Sequence, residues 1–141
     1  MRLILDANEY IFSLGLFKKE NCEALLKLLI ETPSTHSIFI CRTIIEEVRA
    51  NLTLQDFQNF VKVITTFATI NEDFFVPFEL GAKYESKGLK PADALIAAYT
   101  EWTGADALVS ENRHFLFRHS DLPFKVLSAE RCLKLISKLP R

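Results

Sequence analysis

The feature that most constrains the fold is a set of short, continuous apolar runs separated by longer stretches with helical periodicity. The first run, Leu3-Ile4-Leu5, lies at the very start of the chain, and Ala107-Leu108-Val109 is a later one. Continuous apolar residues are typical of strands that are buried on both faces. Strands separated by helices pair in parallel through right-handed crossovers. The sequence therefore predicts an α/β fold, a three-layer α/β/α sandwich around a mainly parallel central sheet.

The predicted elements follow one another without a linker, which indicates a single domain, 1–141. We expect strands over 3–5, 37–41, 68–71, 107–110 and 125–127. We expect helices over 8–14, 21–31, 43–52, 53–67, 77–86, 91–102 and 129–138. Pro77 and Pro91 suit first helical positions, and Ser128 suits an N-cap.

Composition limits the class of protein. Hydrophobic residues make up 49% and charged residues 25% of the chain, as is ordinary for a soluble globular protein. The apolar runs are too short to span a membrane, and we expect no signal peptide at the start. Cys22, Cys41 and Cys132 are odd in number and far apart, so we interpret them as buried free thiols in a reducing compartment. A cytoplasmic location is the expectation.

The charge balance argues against binding nucleic acid by charge alone, because the formal net charge is −1. It does not argue against approach to a phosphate through a bound cation. Local basic groups exist, namely Lys18-Lys19, Arg42 with Arg49, Arg113-His114 and Arg118-His119. Solvated surface is the alternative interpretation of each group, and it is the one we adopt for Lys18-Lys19.

A carboxylate, Asp6, follows the first predicted strand directly. The end of a buried strand lies at the carboxyl edge of the sheet, where α/β proteins bind ligands. The alternative is that Asp6 caps the next helix, a position for which Asp is favoured.

The second candidate acid follows the strand over 37–41. Thr43 and Glu46 have the spacing of a capping box, in which Glu46 would bond back to the Thr43 N–H. This assignment leaves Glu47 available at the same edge of the sheet. An exposed helical acid is the alternative interpretation of Glu47.

Two further polar positions complete the set. Asp93 opens a helix that is apolar on nearly all sides, and a carboxylate there needs a metal ion or a basic partner. Ser110, Glu111 and Asn112 follow the strand that begins at Ala107, although the last two also suit a turn. If the strands are parallel, all these groups converge on one edge. Hard oxygen ligands without a His or Cys set favour Mg²⁺ or Mn²⁺ over zinc.

The order of these motifs resembles that of PIN domains, notably the prokaryotic VapC-type toxins. The resemblance covers nearly the whole chain, and it is carried by four short segments: Leu-Asp-Ala-Asn, Glu-Val-Arg, Pro-Ala-Asp-Ala-Leu-Ile-Ala-Ala and Leu-Val-Ser-Glu-Asn-Arg-His-Phe. It implies a Mg²⁺- or Mn²⁺-dependent endoribonuclease that hydrolyses RNA with water as the nucleophile. Asp6 and Asp93 would be the principal metal ligands, and Glu47 would be a ligand directly or through water. Asn8 and Ser110 would support the site.

One position departs from the family pattern. Where these proteins often have Thr-x-Asp, this chain has Ser110-Glu111-Asn112, so an amide replaces the last acid. Glu111 is adjacent and is a candidate substitute, and the number of metals, one or two, depends on it. Arg113 and His114 are candidate contacts to RNA phosphate or, alternatively, part of a solvated turn.

Two other functions compete with the nuclease. A PIN-like module that binds RNA or protein without turnover is favoured by Asn112 and by the near-neutral charge. A phosphatase-like hydrolase is disfavoured, because Asp6-Ala7-Asn8 stands where such enzymes have Asp-x-Asp.

The resemblance also implies partners, namely RNA, a small antitoxin protein and a second copy of the chain in a homodimer. Exposed Phe residues would serve an antitoxin or a dimer, although core packing explains them equally; the candidates are Phe12, Phe17, Phe57 and Phe60.

Overall fold

The computed structural model describes residues 1–112 and 121–138. Their central feature is a five-stranded parallel sheet with the strand order β3-β2-β1-β4-β5. The strands are β1 (Arg2–Leu5), β2 (Ser37–Cys41), β3 (Ala68–Asn71), β4 (Ala107–Val109) and β5 (Lys125–Leu127). The predicted parallel α/β architecture is therefore confirmed.

The helices of the described residues lie between and after these strands. They are α1 (Ala7–Leu14), α2 (Glu20–Glu31), α3 (Arg42–Asn51), α4 (Leu54–Phe67), α5 (Phe78–Ser86), α6 (Pro91–Trp102) and α7 (Ala129–Ser137), with a 3₁₀ turn at Asp73–Phe75. Their ends lie within one residue of the predicted ends. Pro77 precedes its helix and does not open it, since α5 begins at Phe78. Ser128 caps α7 as predicted, by accepting a hydrogen bond from the Arg131 N–H.

The strand order explains the layering. The chain moves from β1 to β2 to β3 in one direction and then crosses back to β4. Right-handed crossovers therefore place α1–α4 over one face of the sheet and α5–α6 over the other. The helix contacts agree, because α1 packs on α2 and α3, α2 packs on α7, and α5 packs on α6.

The centre of the sheet contains the continuous apolar runs. Leu3, Ile4 and Leu5 of β1 are at most 1% exposed, and all three residues of β4 are fully buried. Register pairs Ile4 with Leu108 on one side and with Phe39 on the other. The ends of β1 and β4 are thus adjacent, and the Asp6 N–H donates to the Val109 carbonyl oxygen at 2.8 Å.

Helix α6 is buried along most of its length, as its composition predicts. Ala94 and the run from Ile96 to Thr100 are buried. The helix is followed by Gly104, whose φ of +67° is a left-handed conformation that favours glycine.

The cysteines are free and buried, as expected. Of the two alternatives for the Phe residues, core packing holds for Phe60, which is fully buried and packs edge-on against Tyr10 at 5.1 Å between ring centroids. Phe17 is 85% exposed, while Phe12 and Phe57 are half-buried. No helix in the described part of the chain is long and apolar enough to cross a membrane.

Candidate functional site

Asp6 lies at the carboxyl end of β1 and has two structural partners. Its Oδ1 accepts a hydrogen bond from the Ala7 N–H at 2.8 Å, and its Oδ2 accepts one from the Ser110 hydroxyl at 2.7 Å. Asp6 is therefore the N-cap of α1 and also a buried carboxylate at the edge of the sheet. The two interpretations of this residue are compatible.

Burial raises the pKa of Asp6 above its ordinary value. The hydrogen bonds from Ser110 and Ala7 oppose this shift, and the negative charge of Asp93 adds to it. A cation near Asp6 would remove the penalty that burial and repulsion impose on the ionised form.

Ser110 holds Asp6 in place from the end of β4. It is fully buried, and its hydroxyl oxygen accepts a hydrogen bond from the Asn112 N–H at 3.0 Å while its O–H donates to Asp6. This relay fixes the direction of the hydroxyl proton. Ser110 is thus a positioning residue for the Asp6 carboxylate.

Glu47 and Asp93 approach the same edge from two helices. Glu47 lies in α3 and Asp93 in the first turn of α6, and both are half-buried. Burial raises the pKa of Glu47 to about 7, and repulsion by Asp6 and Asp93 contributes to the shift. The three carboxylates are therefore electrostatic neighbours, and we call Asp6, Glu47 and Asp93 the edge site.

The donor set of the edge site fits a hard divalent cation, because it consists of carboxylate oxygens that repel one another. Its carboxylate oxygens are not gathered within 4.8 Å of one another. Among the described residues, the three potential metal ligands whose atoms all lie within 4.8 Å of one another are Glu9, Cys22 and Glu111, a different group.

The Glu111 carboxylate lies with Glu9 and Cys22. Its Oε1 accepts a hydrogen bond from the Ala129 N–H at the start of α7 at 2.9 Å, and the Cys22 thiol donates to the same atom at 3.8 Å. The structure thus gives Glu111 a capping role at α7.

Structural comparison identifies the fold. VapBC2 from Rickettsia felis, in a crystal structure bound to a DNA fragment from its promoter, has a TM-score of 0.63 and 20% identity, covering 91% of this chain and 98% of that chain. PAE2754 from Pyrobaculum aerophilum has a TM-score of 0.62 and 18% identity, covering 99% and 97%. FitAcB from Neisseria gonorrhoeae has a TM-score of 0.60 and 15% identity, covering 91% and 98%. This chain has the PIN-like fold of VapC-type proteins.

No protein-family model and no curated protein sequence matches the chain. The PIN-like assignment therefore depends on three-dimensional similarity, and at these identities it concerns the fold alone. Activity must be argued from the residues of this chain.

The prediction that Thr43 and Glu46 form a capping box is wrong. Helix α3 begins at Arg42, one residue earlier than expected, and Thr43 is bound instead by Asp73, whose carboxylate accepts from the Thr43 N–H at 3.0 Å and from its hydroxyl at 2.7 Å. Glu46 is exposed and lies 3.5 Å from Arg42 in an ion pair. Glu47 is half-buried, so it is still the glutamate of the two that is available to the edge site.

The remaining predicted site residues are placed as follows. Asn8 is half-buried in the first turn of α1, and Asn112 is half-buried just after Ser110. Arg113 and His114, like Arg118 and His119, lie outside the described residues.

Sequence patterns did not single out Glu9, which is 1% exposed in α1. The available sequence signal was the helical spacing of Asp6, Glu9 and Ser13, and the structure shows that all three are buried. A polar stripe on the buried face of a helix indicates groups that need partners inside the protein.

Proposed function

We propose that this protein is a Mg²⁺- or Mn²⁺-dependent endoribonuclease and the toxin of a toxin–antitoxin pair. The observation that carries the proposal is the edge site, in which a carboxylate at the end of β1 is joined electrostatically by acids from α3 and α6. Burial raises the pKa values of Asp6 and Glu47, and repulsion by Asp93 adds to both shifts. Acids with such perturbed pKa values are candidates for function.

The roles of the residues follow from their positions. Asp6 and Asp93 would be the principal ligands, while Glu47 would bind directly or through water. A divalent cation bound there would polarise the phosphodiester and lower the pKa of an attacking water. Ser110 keeps one Asp6 oxygen in a fixed orientation by its hydrogen bond, and the Ala7 N–H holds the other.

The antitoxin proposal is supported by an exposed apolar surface around the end of α1 and the start of α4. Leu16 and Phe17, after α1, are 81% and 85% exposed, and Leu54, at the start of α4, is 75% exposed. Leu16 and Phe17 line a cavity together with Leu52 and Thr53. Exposed apolar groups of this kind are typical of protein-binding surfaces. The homodimer remains a prediction, which sedimentation equilibrium would check.

The first test is calorimetric titration of Mn²⁺ into the wild type and Asp93→Asn. We expect saturable binding in the wild type that the substitution removes. Asp56→Asn is the matched control, because Asp56 also lies in the first turn of a helix but belongs to α4.

Cleavage of a mixed RNA pool, with and without Mn²⁺, then separates two functions. Metal-dependent cleavage supports the nuclease. Mn²⁺ binding and RNA binding without cleavage would favour a non-catalytic module, for which the amide at Asn112 is the specific argument. Absence of Mn²⁺ binding in a folded wild type would contradict the metal site.

A further inference from the structure

A second group of potential metal ligands lies in the interior between α1, α2 and the start of α7. It consists of Glu9, Cys22 and Glu111, whose ligand atoms lie within 4.8 Å of one another. We call this group the thiol–carboxylate cluster. It shares no residue with the edge site, and its ligands include a sulfur atom.

The carboxylate of Glu9 points into this cluster, and the nearby Cys22 thiol only partly offsets the cost of its burial. Its side chain is 1% exposed, and neither of its oxygens has a hydrogen-bond partner in the described part of the chain. An unpartnered, buried carboxylate is expensive in free energy. Glu111 increases the cost, because its negative charge repels Glu9.

The other two members supply what a cation needs. Cys22 is 2% exposed and contacts Glu111 through its thiol. The Ala129 N–H donates a hydrogen bond to one Glu111 oxygen and so holds this carboxylate beside Cys22. The ligand atoms of a tetrahedral zinc site lie roughly 3.5 Å apart. Small side-chain rotations would shorten the distances of up to 4.8 Å among the ligand atoms of Glu9, Cys22 and Glu111 to that value.

We propose that Glu9, Cys22 and Glu111 bind one divalent cation of the zinc class and thereby join α1, α2 and the segment before α7. On binding, the Cys22 S–H bond breaks, its proton leaves to solvent, and the thiolate sulfur donates an electron pair to the metal. No electron transfer is involved. The thiolate favours Zn²⁺ or Co²⁺ over Mg²⁺ and Mn²⁺, in contrast to the all-oxygen edge site.

The test is titration of Co²⁺ into the full-length wild type, with a phosphine reductant and near-ultraviolet absorption as the readout. Sulfur-to-cobalt charge transfer gives a band that an all-oxygen site does not produce. We expect this band to saturate at one Co²⁺ per chain, and excess Zn²⁺ to abolish it. Zn²⁺ should also raise Tm by roughly 5 °C.

Variants assign the band to the cluster. Cys22→Ser should eliminate it, and Glu9→Gln should weaken Co²⁺ binding by at least about tenfold. Cys41→Ser is the matched control, since Cys41 is also a buried free thiol but lies on β2, away from the cluster, and should leave the band unchanged. Asp93→Asn should leave it unchanged as well, which separates this site from the edge site.

Three results would overturn the proposal. The first is a folded wild type without a thiolate band at saturating Co²⁺, which would mean that a proton neutralises Glu9. The second is a band that persists in Cys22→Ser. The third is a band that is lost in Cys41→Ser, which would place the metal at another thiol. Because the wild-type spectrum is decisive by itself, poor folding of a variant does not prevent the test.

Discussion

The edge site and the thiol–carboxylate cluster lie one helical turn apart, at Asp6 and Glu9. They differ in how many hydrogen bonds the buried carboxylate accepts. Asp6 accepts two hydrogen bonds, from the Ala7 N–H and the Ser110 hydroxyl, and also interacts electrostatically with Glu47 and Asp93. Glu9 is more deeply buried and accepts none among the described residues. Two hydrogen bonds keep an acid oriented and ready for a cation, whereas an acid without them needs a proton or a cation to be stable.

The largest expected effect is on the edge site. We predict that Asp6→Asn lowers RNA cleavage at least about 100-fold, because a carboxylate ligand becomes a neutral amide. The fold should persist, since Asn is as good an N-cap as Asp. Cleavage rates and thermal melting of both proteins are the measurements. A variant that fails to fold would indicate that Asp6 is chiefly structural.

A smaller effect is expected when only the hydrogen bond to Asp6 is removed. Ser110→Ala should lower Mn²⁺ affinity or activity by roughly 10- to 100-fold, as is typical for residues that orient a metal ligand. The bond from Ser110 lowers the pKa of Asp6, so its loss should also move the pH profile of Mn²⁺ binding to higher pH. Ser110→Thr should restore binding.

A matched control for this prediction is Ser137→Ala, which removes a hydroxyl bonded to the Lys134 carbonyl oxygen in α7. Equal losses in the two variants, or an unmoved pH profile in Ser110→Ala, would rule out a positioning role for Ser110.

The next prediction concerns the thiol–carboxylate cluster in metal-free protein. Burial raises the pKa of Glu9 from 4.5 to about 8, so the folded state holds a proton that the unfolded state releases. Stability from this group is therefore present below about pH 4.5 and is lost as the pH rises through 8.

Thermal melting in EDTA checks this sign. Between pH 5 and pH 9, Glu9→Gln should lose roughly 5 °C less in Tm than the wild type, because Gln is neutral at both pH values. Glu130→Gln, in the first turn of α7, is the exposed control and should follow the wild type. Parallel pH dependences of wild type and Glu9→Gln would show that Glu9 does not titrate in this range.

The sequence allowed the frame of the edge site to be predicted because its determinants are local. Leu3-Ile4-Leu5 and Ala107-Leu108-Val109 are buried on both faces, and parallel pairing of such strands brings their carboxyl ends together. Asp6 and Ser110 then become neighbours although 104 residues separate them.

The thiol–carboxylate cluster could not be predicted in the same way, because its members meet only through tertiary packing. Cys22 lies on the apolar face of α2 with Leu25, Leu26 and Leu29, and nothing nearby in sequence shows that Glu9 and Glu111 reach it. Thr43 is a further example. Its partner, Asp73, lies 30 residues away, so a local capping pattern led to the wrong partner.

The smallest effect tests the distinction between two adjacent glutamates. Glu46→Gln should change Mn²⁺ binding and RNA cleavage by less than about twofold, because Glu46 is exposed and its ion pair with Arg42 is a surface contact.

Glu47→Gln, in contrast, should weaken both Mn²⁺ binding and RNA cleavage. It should also remove the loss of Mn²⁺ affinity that the wild type shows as the pH falls through about 7, where protonation of Glu47 competes with the metal. Calorimetry at pH 6 and pH 8 on the two variants is the measurement. If Glu46→Gln were inactive and Glu47→Gln active, the ligand from α3 would be Glu46, and the electrostatic coupling of Glu47 to Asp6 and Asp93 would reflect proximity without metal binding.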